Sequence, residues 1–248
     1  MTSTSGPDEN RDENAGENAD ENTERNDEER YDPERYDAGP FLPNRGGLPA
    51  HRRAAADCHG CPLYEDATGT VFGSGTSSAR LMFVGEEPGD QEDRQGRPFV
   101  GPAGHLLRRA LKETGLDEEP AYLTNAVKHF KFTRFERSRR RIHKPPSLRE
   151  TAACRPWLDA ELRLVRPEMV VALGAVAVRS LLGPSFRVTK DRGSTVPLPP
   201  PPGSEATRAE QATVLITLHP SAVLRSDDRE AAYAGFLADL RVAARALR

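Results

Sequence analysis

The sequence predicts a three-layer α/β/α fold with a central four-stranded parallel sheet. Four short apolar runs have the composition of buried strands, and helical patterns separate them along the chain. Strands that alternate with helices form a parallel sheet that is covered on both faces. The predicted strands are Leu81–Val84, Ala121–Val127, Met169–Leu173 and Thr213–Leu218.

The helices between these strands have apolar faces and recognisable ends. Ser147 and Glu150 have the spacing of a capping box, which predicts a helix start at that point. A proline run at 197–202 predicts a stiff surface loop before the last strand. The predicted helices cover residues 101–115, 147–165, 175–182 and 227–247.

Charge divides the chain into two parts. Residues 1–38 hold 14 acidic residues against 4 arginines, a net charge of −10, and the remainder has a net charge of +7. Residues 1–45 contain few apolar side chains, so we expect a disordered acidic tail before a domain at 46–248. A basic domain indicates a polyanionic partner, which the tail would oppose or shield.

The apolar runs are too short to predict a membrane-spanning helix. None approaches the ~20 residues that a membrane-spanning helix needs. The N-terminus is polar and acidic, unlike a signal or transit peptide. We therefore expect a cytoplasmic, monomeric protein without a membrane partner.

Polar clusters follow three of the predicted strands. They are Gly85–Asp90, Asn125 with Lys128, and His219-Pro220-Ser221. Ligands of parallel sheets bind beyond the carboxyl ends of the strands, so these clusters predict one pocket. Each cluster alone also fits an ordinary loop, a capping asparagine or a histidine with a local partner.

The side chains in these clusters match the chemistry of a uracil base. The amide of Asn125 offers one acceptor and two donors, which complement O4 and N3–H of uracil. Cytosine has a donor where uracil has the O4 acceptor and an acceptor where uracil has the N3–H donor, so it would be rejected. His219 has a donor for a carbonyl whose negative charge rises as a base departs.

The segment Lys128–Arg149 is strongly basic. It contains nine Lys or Arg and a single acid, Glu136, with Phe130, Phe132 and Phe135 between the charges. Cations interleaved with aromatic rings are typical of contacts with nucleic-acid backbones and bases. A solvated basic loop is the alternative.

Three cysteines indicate a metal site. Their odd number argues against a disulfide framework, and Cys58-x-x-Cys61 has metal-ligand spacing, with Cys154 far along the chain. His129 is the best candidate for a fourth ligand, since imidazole can replace thiolate at iron. A zinc site with three cysteines and one histidine fits equally well at this point.

In order and spacing, these motifs resemble the iron–sulfur branch of the uracil-DNA glycosylase superfamily, families 4 and 5. Within that branch the chain is similar to the UdgX group, which is defined by a basic loop ending in Arg-Ile-His. The resemblance covers about residues 54–247. It rests on Cys58-x-x-Cys61, Gly85-Glu86-Glu87-Pro88-Gly89, Pro98–Gly104, Asn125–Phe130, Arg140-Arg141-Ile142-His143, Cys154–Leu158 and His219-Pro220-Ser221.

The resemblance implies a role for each matching residue in the repair of uracil-containing DNA, with single strands favoured. His143 would be a nucleophile that bonds C1′ of the sugar, Glu86 would assist the chemistry and His219 would support O2 of the base. Phe99 would stack on the flipped uracil and Asn125 would read its edge. Further substrate contacts would come from Glu87, Gly89, Asp90, Ser221 and Arg141, and a [4Fe-4S] cluster would bind Cys58, Cys61, His129 and Cys154.

Two positions depart from the UdgX pattern. Glu87 stands where that group has Gln, and a second carboxylate beside Glu86 would raise the pKa of its neighbour. The loop reads Arg-Arg-Arg-Ile-His where Lys-Arg-Arg is usual. Three other functions stay open: a glycosylase with ordinary turnover, a non-enzymatic DNA binder with a metal staple, and a nucleotide-binding enzyme that uses the Gly-rich loop.

Overall fold

The computed structural model describes residues 36–116, 121–134, 140–200 and 212–248. The helices in chain order are α1 Leu48–Ala55, α2 Asp90–Gln95, α3 Pro102–Thr114, α4 Leu148–Val165, α5 Ala175–Leu182, α6 Val188–Asp191, α7 Pro220–Arg225 and α8 Arg229–Ala246. The strands are β1 Leu81–Gly85, β2 Ala121–Asn125, β3 Phe132–Arg134, β4 Arg141–His143, β5 Met169–Leu173, β6 Thr195–Pro197 and β7 Thr213–Thr217. Among these helices, none is both long and apolar enough to cross a membrane.

The central sheet has the strand order β2-β1-β5-β7-β6. Its first four strands are parallel, as predicted, and β6 adds an antiparallel edge beside β7. Strand β6 was not predicted, because Thr195–Pro197 is short and ends in a proline. Proline lacks the N–H of a central strand but is tolerated at an edge. Residues 201 and 202 of the proline run lie outside the described residues.

Two helical layers cover the sheet and confirm the predicted α/β/α fold. On one face, Met82 and Val84 of β1 pack in a core with residues of α1, α4 and α5. On the other face, Leu81 and Phe83 pack with residues of α3, α7 and α8. Successive side chains of a strand point to opposite faces, so one short strand contributes to both cores.

The packed region begins before the predicted domain boundary. Ala38 is 1% exposed, and its N–H donates to the carbonyl of Ala153, 3.0 Å away in α4. Tyr36 and Phe41 pack against the same core. Part of residues 36–45, which were expected in the disordered tail, therefore packs on the domain, because a few apolar residues in a polar segment contact distant partners. The expectation of disorder for residues 1–35 falls outside the described residues.

A buried ion pair lies beneath the carboxyl end of β2. The Lys128 ammonium is 2.6 Å from Oε2 of Glu161, and both side chains are fully buried. Glu161 also accepts from the Tyr122 hydroxyl, and Lys128 donates to the Asn125 carbonyl at 2.7 Å. Lys128 is therefore an interior residue. Its assignment to the basic DNA-facing stretch was wrong, because the sign of a charge does not reveal its burial.

Two described segments of the basic stretch pair as the strands of a short hairpin. Strands β3 and β4 are antiparallel, with Phe132 opposite His143. The rings of Phe130 and Phe132 are stacked 5.1 Å apart, and both are buried. Both rings support the hairpin from inside. The prediction that they contact DNA bases was wrong, because they are buried. Residues 135–139, which include the third phenylalanine, lie outside the described residues.

The buried ion pair makes a prediction about stability. Replacing Glu161 by Gln leaves the Lys128 ammonium buried without a counter-charge, so the free energy of unfolding should fall by about 3–5 kcal/mol. Urea denaturation measures this change. Glu168→Gln is the matched control, because Glu168 pairs with Arg80 at the surface and should lose less than about 1 kcal/mol. Equal losses in the two variants would contradict the prediction.

Candidate active site

One cavity of about 640 Å³ opens at the carboxyl ends of the strands. It brings together all three of the predicted polar clusters, and the hairpin adds His143 to its wall. The lining residues include Glu86, Glu87, Gly89, Asp90, Phe99, Asn125, His143, His219, Ser221 and Arg225. Every predicted non-metal site residue except Arg141 therefore lines this one cavity, and Lys128 of the second cluster does not.

Phe99 and Asn125 sit side by side in this cavity, and both are buried. Phe99 has φ +56°, a strained conformation for a non-glycine residue, and Arg108 donates to its carbonyl at 2.8 Å. Two glycines make this arrangement possible. A Cβ at Gly104 would overlap the Phe99 carbonyl, and one at Gly85 would overlap the Asn125 amide oxygen.

His219 has a defined protonation state. Its Nδ1 accepts from the Ser221 backbone N–H at 3.1 Å and lies 2.8 Å from the Ser221 hydroxyl. Burial, with the positive charge of Arg225, lowers the pKa of His219 to about 4. The ring is therefore neutral at pH 7, and because Nδ1 accepts, the proton is on Nε2. The ring lies nearly parallel to Phe99, with centroids 6.3 Å apart.

His143 lies beside two adjacent carboxyl groups. Its Nε2 is 3.1 Å from Oε1 of Glu87 and 3.7 Å from Oε1 of Glu86. Burial lowers the pKa of His143, an effect that Glu86 opposes and Arg225 reinforces. Burial is the larger influence, so the imidazole is neutral at pH 7 and keeps a lone pair for bonding.

The two carboxyl groups differ in their environment. Burial, with the nearby charge of Glu86, raises the pKa of Glu87 to about 10, so Glu87 is protonated at pH 7. Its Oε1 accepts from the backbone N–H of Lys131 at 3.3 Å, while Oε2 is buried and has no partner among the described residues. Burial also raises the pKa of Glu86, but His143 and Arg225 oppose that shift. Glu86 is consequently the member of the pair that ionises first.

Arg141 has a different position from the one predicted. Its side chain is only 8% exposed, and its guanidinium donates to Asp90 and to the fully buried Asp93. It also lies over the ring of Phe132, 4.9 Å from the centroid. Arg141 therefore anchors the hairpin that carries His143, and it is not among the residues that line the cavity. Asp90 lines the cavity with its carboxylate committed to Arg141 and Arg94.

Arg225 is a cavity residue that sequence reasoning missed. It ends α7, and its charge influences the pKa values of Glu86, His143 and His219. Its spacing from Ser221 could have identified it from the sequence. Arg225 lies four residues after Ser221 in a short helix, and residues four apart share one helical face.

The three cysteines are buried and close enough to influence one another. Burial raises the pKa of Cys154, and the neighbouring Cys61 and Cys58 add to this shift. Burial likewise raises the pKa of Cys61 to about 12. Two N–H groups point at the sulfurs: Trp157 Nε1 donates to Cys58 at 3.2 Å, and the Lys128 backbone donates to Cys154 at 3.3 Å. Such donors suit thiolate ligands.

His129 is buried near this group, and burial lowers its pKa to about 4. The ring is therefore a neutral imidazole, the form that binds metals. Within the described ranges, no three His, Cys, Asp or Glu side chains converge as they would around a single metal ion. A [4Fe-4S] cluster binds each ligand to a different iron, so its ligands stand further apart than those of one zinc ion.

Comparison with known proteins agrees with this site. The family described as the Uracil DNA glycosylase superfamily matches residues 72–241. A type-4 uracil-DNA glycosylase of Thermotoga maritima is 37% identical over 174 residues, which are 70% of this chain and 81% of the relative. The type-4 enzyme of Sulfurisphaera tokodaii is 35% identical, over 67% of this chain and 71% of its own length. That of Pyrobaculum aerophilum is 34% identical, over 68% and 80%.

The family match covers β1 to most of α8, including the cavity, the hairpin, His129 and Cys154, while Cys58 and Cys61 precede it. The extent of this match and the identities to the type-4 relatives show that the chain belongs to the uracil-DNA glycosylase superfamily.

Proposed function

We propose that this protein excises uracil from DNA and bonds itself to the resulting abasic sugar through His143. The observation that carries the proposal is the single cavity that holds a base-reading amide, a donor histidine and a neutral imidazole beside a carboxylate. The relatives named as type-4 uracil-DNA glycosylases support the excision step. The covalent step rests on the position of His143.

Asn125 would select the base. Its amide is in the cavity and has no hydrogen-bond partner among the described residues, so a ligand can satisfy it. Uracil presents an acceptor at O4 and a donor at N3, which the amide complements. Phe99 would stack against the extruded base. Extrusion costs a few kcal/mol in a duplex and less in a single strand, which supports a preference for single-stranded DNA.

Cleavage would break the bond between C1′ and N1, and the bonding electron pair would leave with uracil. Negative charge then develops on the base, including O2. The Nε2–H of His219 would donate to that oxygen, and the neutral state of the ring suits this role because its tautomer is fixed. Asn125 would stabilise the same anion at O4.

His143 would capture the sugar in place of water. A lone pair on the imidazole forms the new bond to C1′, and the ring proton passes to a carboxylate. Glu86 is the suitable acceptor because Glu87 already holds a proton at pH 7. The product carries no carbonyl for water to attack, so the bond should persist and each protein molecule would react once.

A [4Fe-4S] cluster would be the cofactor, held by Cys58, Cys61, His129 and Cys154. The residues fit such a group: three buried thiols, two of which receive N–H donors, and one neutral imidazole. A zinc site with the same four ligands is the alternative. The cluster would join the segment before β1, the end of β2 and α4, and no catalytic step requires it. The monomeric state and the cytoplasmic location stay predictions.

The adduct is the first test. Incubating the protein with a uracil-containing single strand should give a band of reduced mobility that survives heat and detergent on a denaturing gel. His143→Ser should abolish this band, because serine lacks the ring nitrogen. Lys144→Ser is the matched control, since Lys144 is the exposed neighbour outside the cavity, and it should keep the adduct.

Three other outcomes would contradict the covalent step in different ways. Free abasic DNA with repeated turnover would make the protein an ordinary glycosylase. Tight binding without uracil release would make it a DNA binder. An undiminished adduct in the His143→Ser variant would assign the bond to another residue.

Glu87→Gln should stabilise the protein, increasingly so as the pH rises. Folded Glu87 keeps its proton up to about pH 10, whereas the unfolded chain loses it near the ordinary pKa of 4.5. Folding thus takes up a proton between these values, so wild-type stability falls as the pH rises through this window. Gln is always neutral, so its advantage should grow by up to about 1 kcal/mol per pH unit. Urea denaturation at pH 6, 7 and 8 measures it; a pH-independent difference would refute the protonated state.

The cofactor has a direct chemical test. Anaerobically purified protein should be brown and contain about four iron and four sulfide per chain. Cys154→Ser should lose the visible absorbance, because the buried thiolate from α4 is removed. A colourless protein with one zinc per chain would replace the cluster by a zinc site.

A further inference from the structure

Thr70 connects the proposed cluster ligand His129 to the end of α1. Its hydroxyl oxygen is 2.7 Å from the carbonyl oxygen of Ala55 and 2.9 Å from Nε2 of His129. A hydroxyl has one hydrogen and a carbonyl oxygen has none, so the hydrogen must lie toward Ala55. The hydroxyl oxygen is then an acceptor toward His129, and Nε2 must supply the hydrogen of the second bond.

This hydrogen-bond chain selects one ring nitrogen. An imidazole that binds a metal through one nitrogen has a single N–H on the other, and the contact with Thr70 places it on Nε2, which leaves the lone pair of Nδ1 for the metal. We infer that His129 binds the proposed cluster through Nδ1 and that Thr70 is the positioning residue that fixes this choice. The inference rests on the cluster assigned under the proposed function, but the tautomer follows from protein contacts alone.

The same carbonyl oxygen also holds one of the cysteines. Ala55 accepts from the backbone N–H of Cys58 at 3.1 Å, besides the hydroxyl of Thr70. Ala55 is fully buried at the last residue of α1. Two ligands from distant parts of the sequence therefore share one anchor, and Thr70 is the bridge between them. Partners of this kind orient metal-binding histidines and hold the ligand set together.

The role of Thr70 predicts a change in cluster lifetime. Thr70→Val keeps the shape of the side chain and removes the hydroxyl, so loss of the cluster to an iron chelator should be at least about tenfold faster. Visible absorbance measures the rate on the full-length holoprotein. Thr70→Ser restores the hydroxyl and should behave like the wild type. Thr76→Val is the control for an exposed threonine of the same segment, and it should have no effect.

Two results would overturn this role. One is a Thr70→Val protein that keeps its cluster as long as the wild type. The other is a Thr70→Ser protein that loses it as fast as Thr70→Val, since the hydroxyl would then be irrelevant. Thermal melting shows whether a variant is folded before its release rate is compared.

The choice of nitrogen can be read on the wild-type protein without any variant. Histidine labelled with ¹⁵N at either δ1 or ε2 is incorporated, and the chemically reduced holoprotein is studied by pulsed electron paramagnetic resonance. The strong hyperfine coupling of the cluster-bound nitrogen should change from a ¹⁴N to a ¹⁵N signal when the label is at δ1. A strong coupling that follows the ε2 label would overturn the inference.

Failure of the cluster itself would be recognised separately. Protein that holds zinc, or no metal, refutes the proposed cofactor by its metal content. The same labelled protein is then measured by long-range proton–nitrogen NMR, where His129 should carry its proton on Nε2. A proton on Nδ1 would refute the role of Thr70 whatever metal is bound.

Discussion

The buried pair of Lys128 and Glu161 is the constraint on which the site depends. Lys128 donates to the carbonyl of Asn125, and its own backbone N–H donates to the sulfur of Cys154. One residue therefore holds both the end of β2 that carries Asn125 and the helix that carries Cys154. Glu161 belongs to α4, the helix that carries Cys154, so the pair fixes the distance between sheet and helix. A buried charge without its partner is strongly unfavourable, and the arrangement has little freedom to shift.

The sequence predicted the features that follow from local rules. The four parallel strands are visible as apolar runs, and the capping box of Ser147 and Glu150 begins α4 as expected. The convergence of the Gly85 loop, Asn125 and His219 is also predictable, because parallel topology brings the carboxyl ends of strands to one edge. These predictions needed only periodicity and chain order.

The burial and ion pairing of the basic residues could not be predicted in the same way. Lys128 and Arg141 belong to one basic run, yet both are buried against acids, Glu161 and Asp93, from other elements. A run of positive charge predicts an electrostatic surface only when those side chains reach solvent. The pairing depends on tertiary contacts that no local pattern contains. The packing of Tyr36 and Ala38 could not be predicted for the same reason, since their partners in the core are far along the chain.

The adjacent carboxyl groups illustrate how burial divides labour between identical side chains. Glu87 is buried and holds its proton, so it cannot act as the base that takes a proton from His143. Glu86 lies nearer to solvent and to Arg225, so it can ionise and take a proton from His143. In the proposed reaction, whether water or imidazole captures the sugar would then depend on how firmly the hairpin that carries His143 is anchored at the cavity. That anchor is Arg141, held by Asp90 and Asp93, and the covalent chemistry of one exposed ring would thus depend on an interior salt bridge.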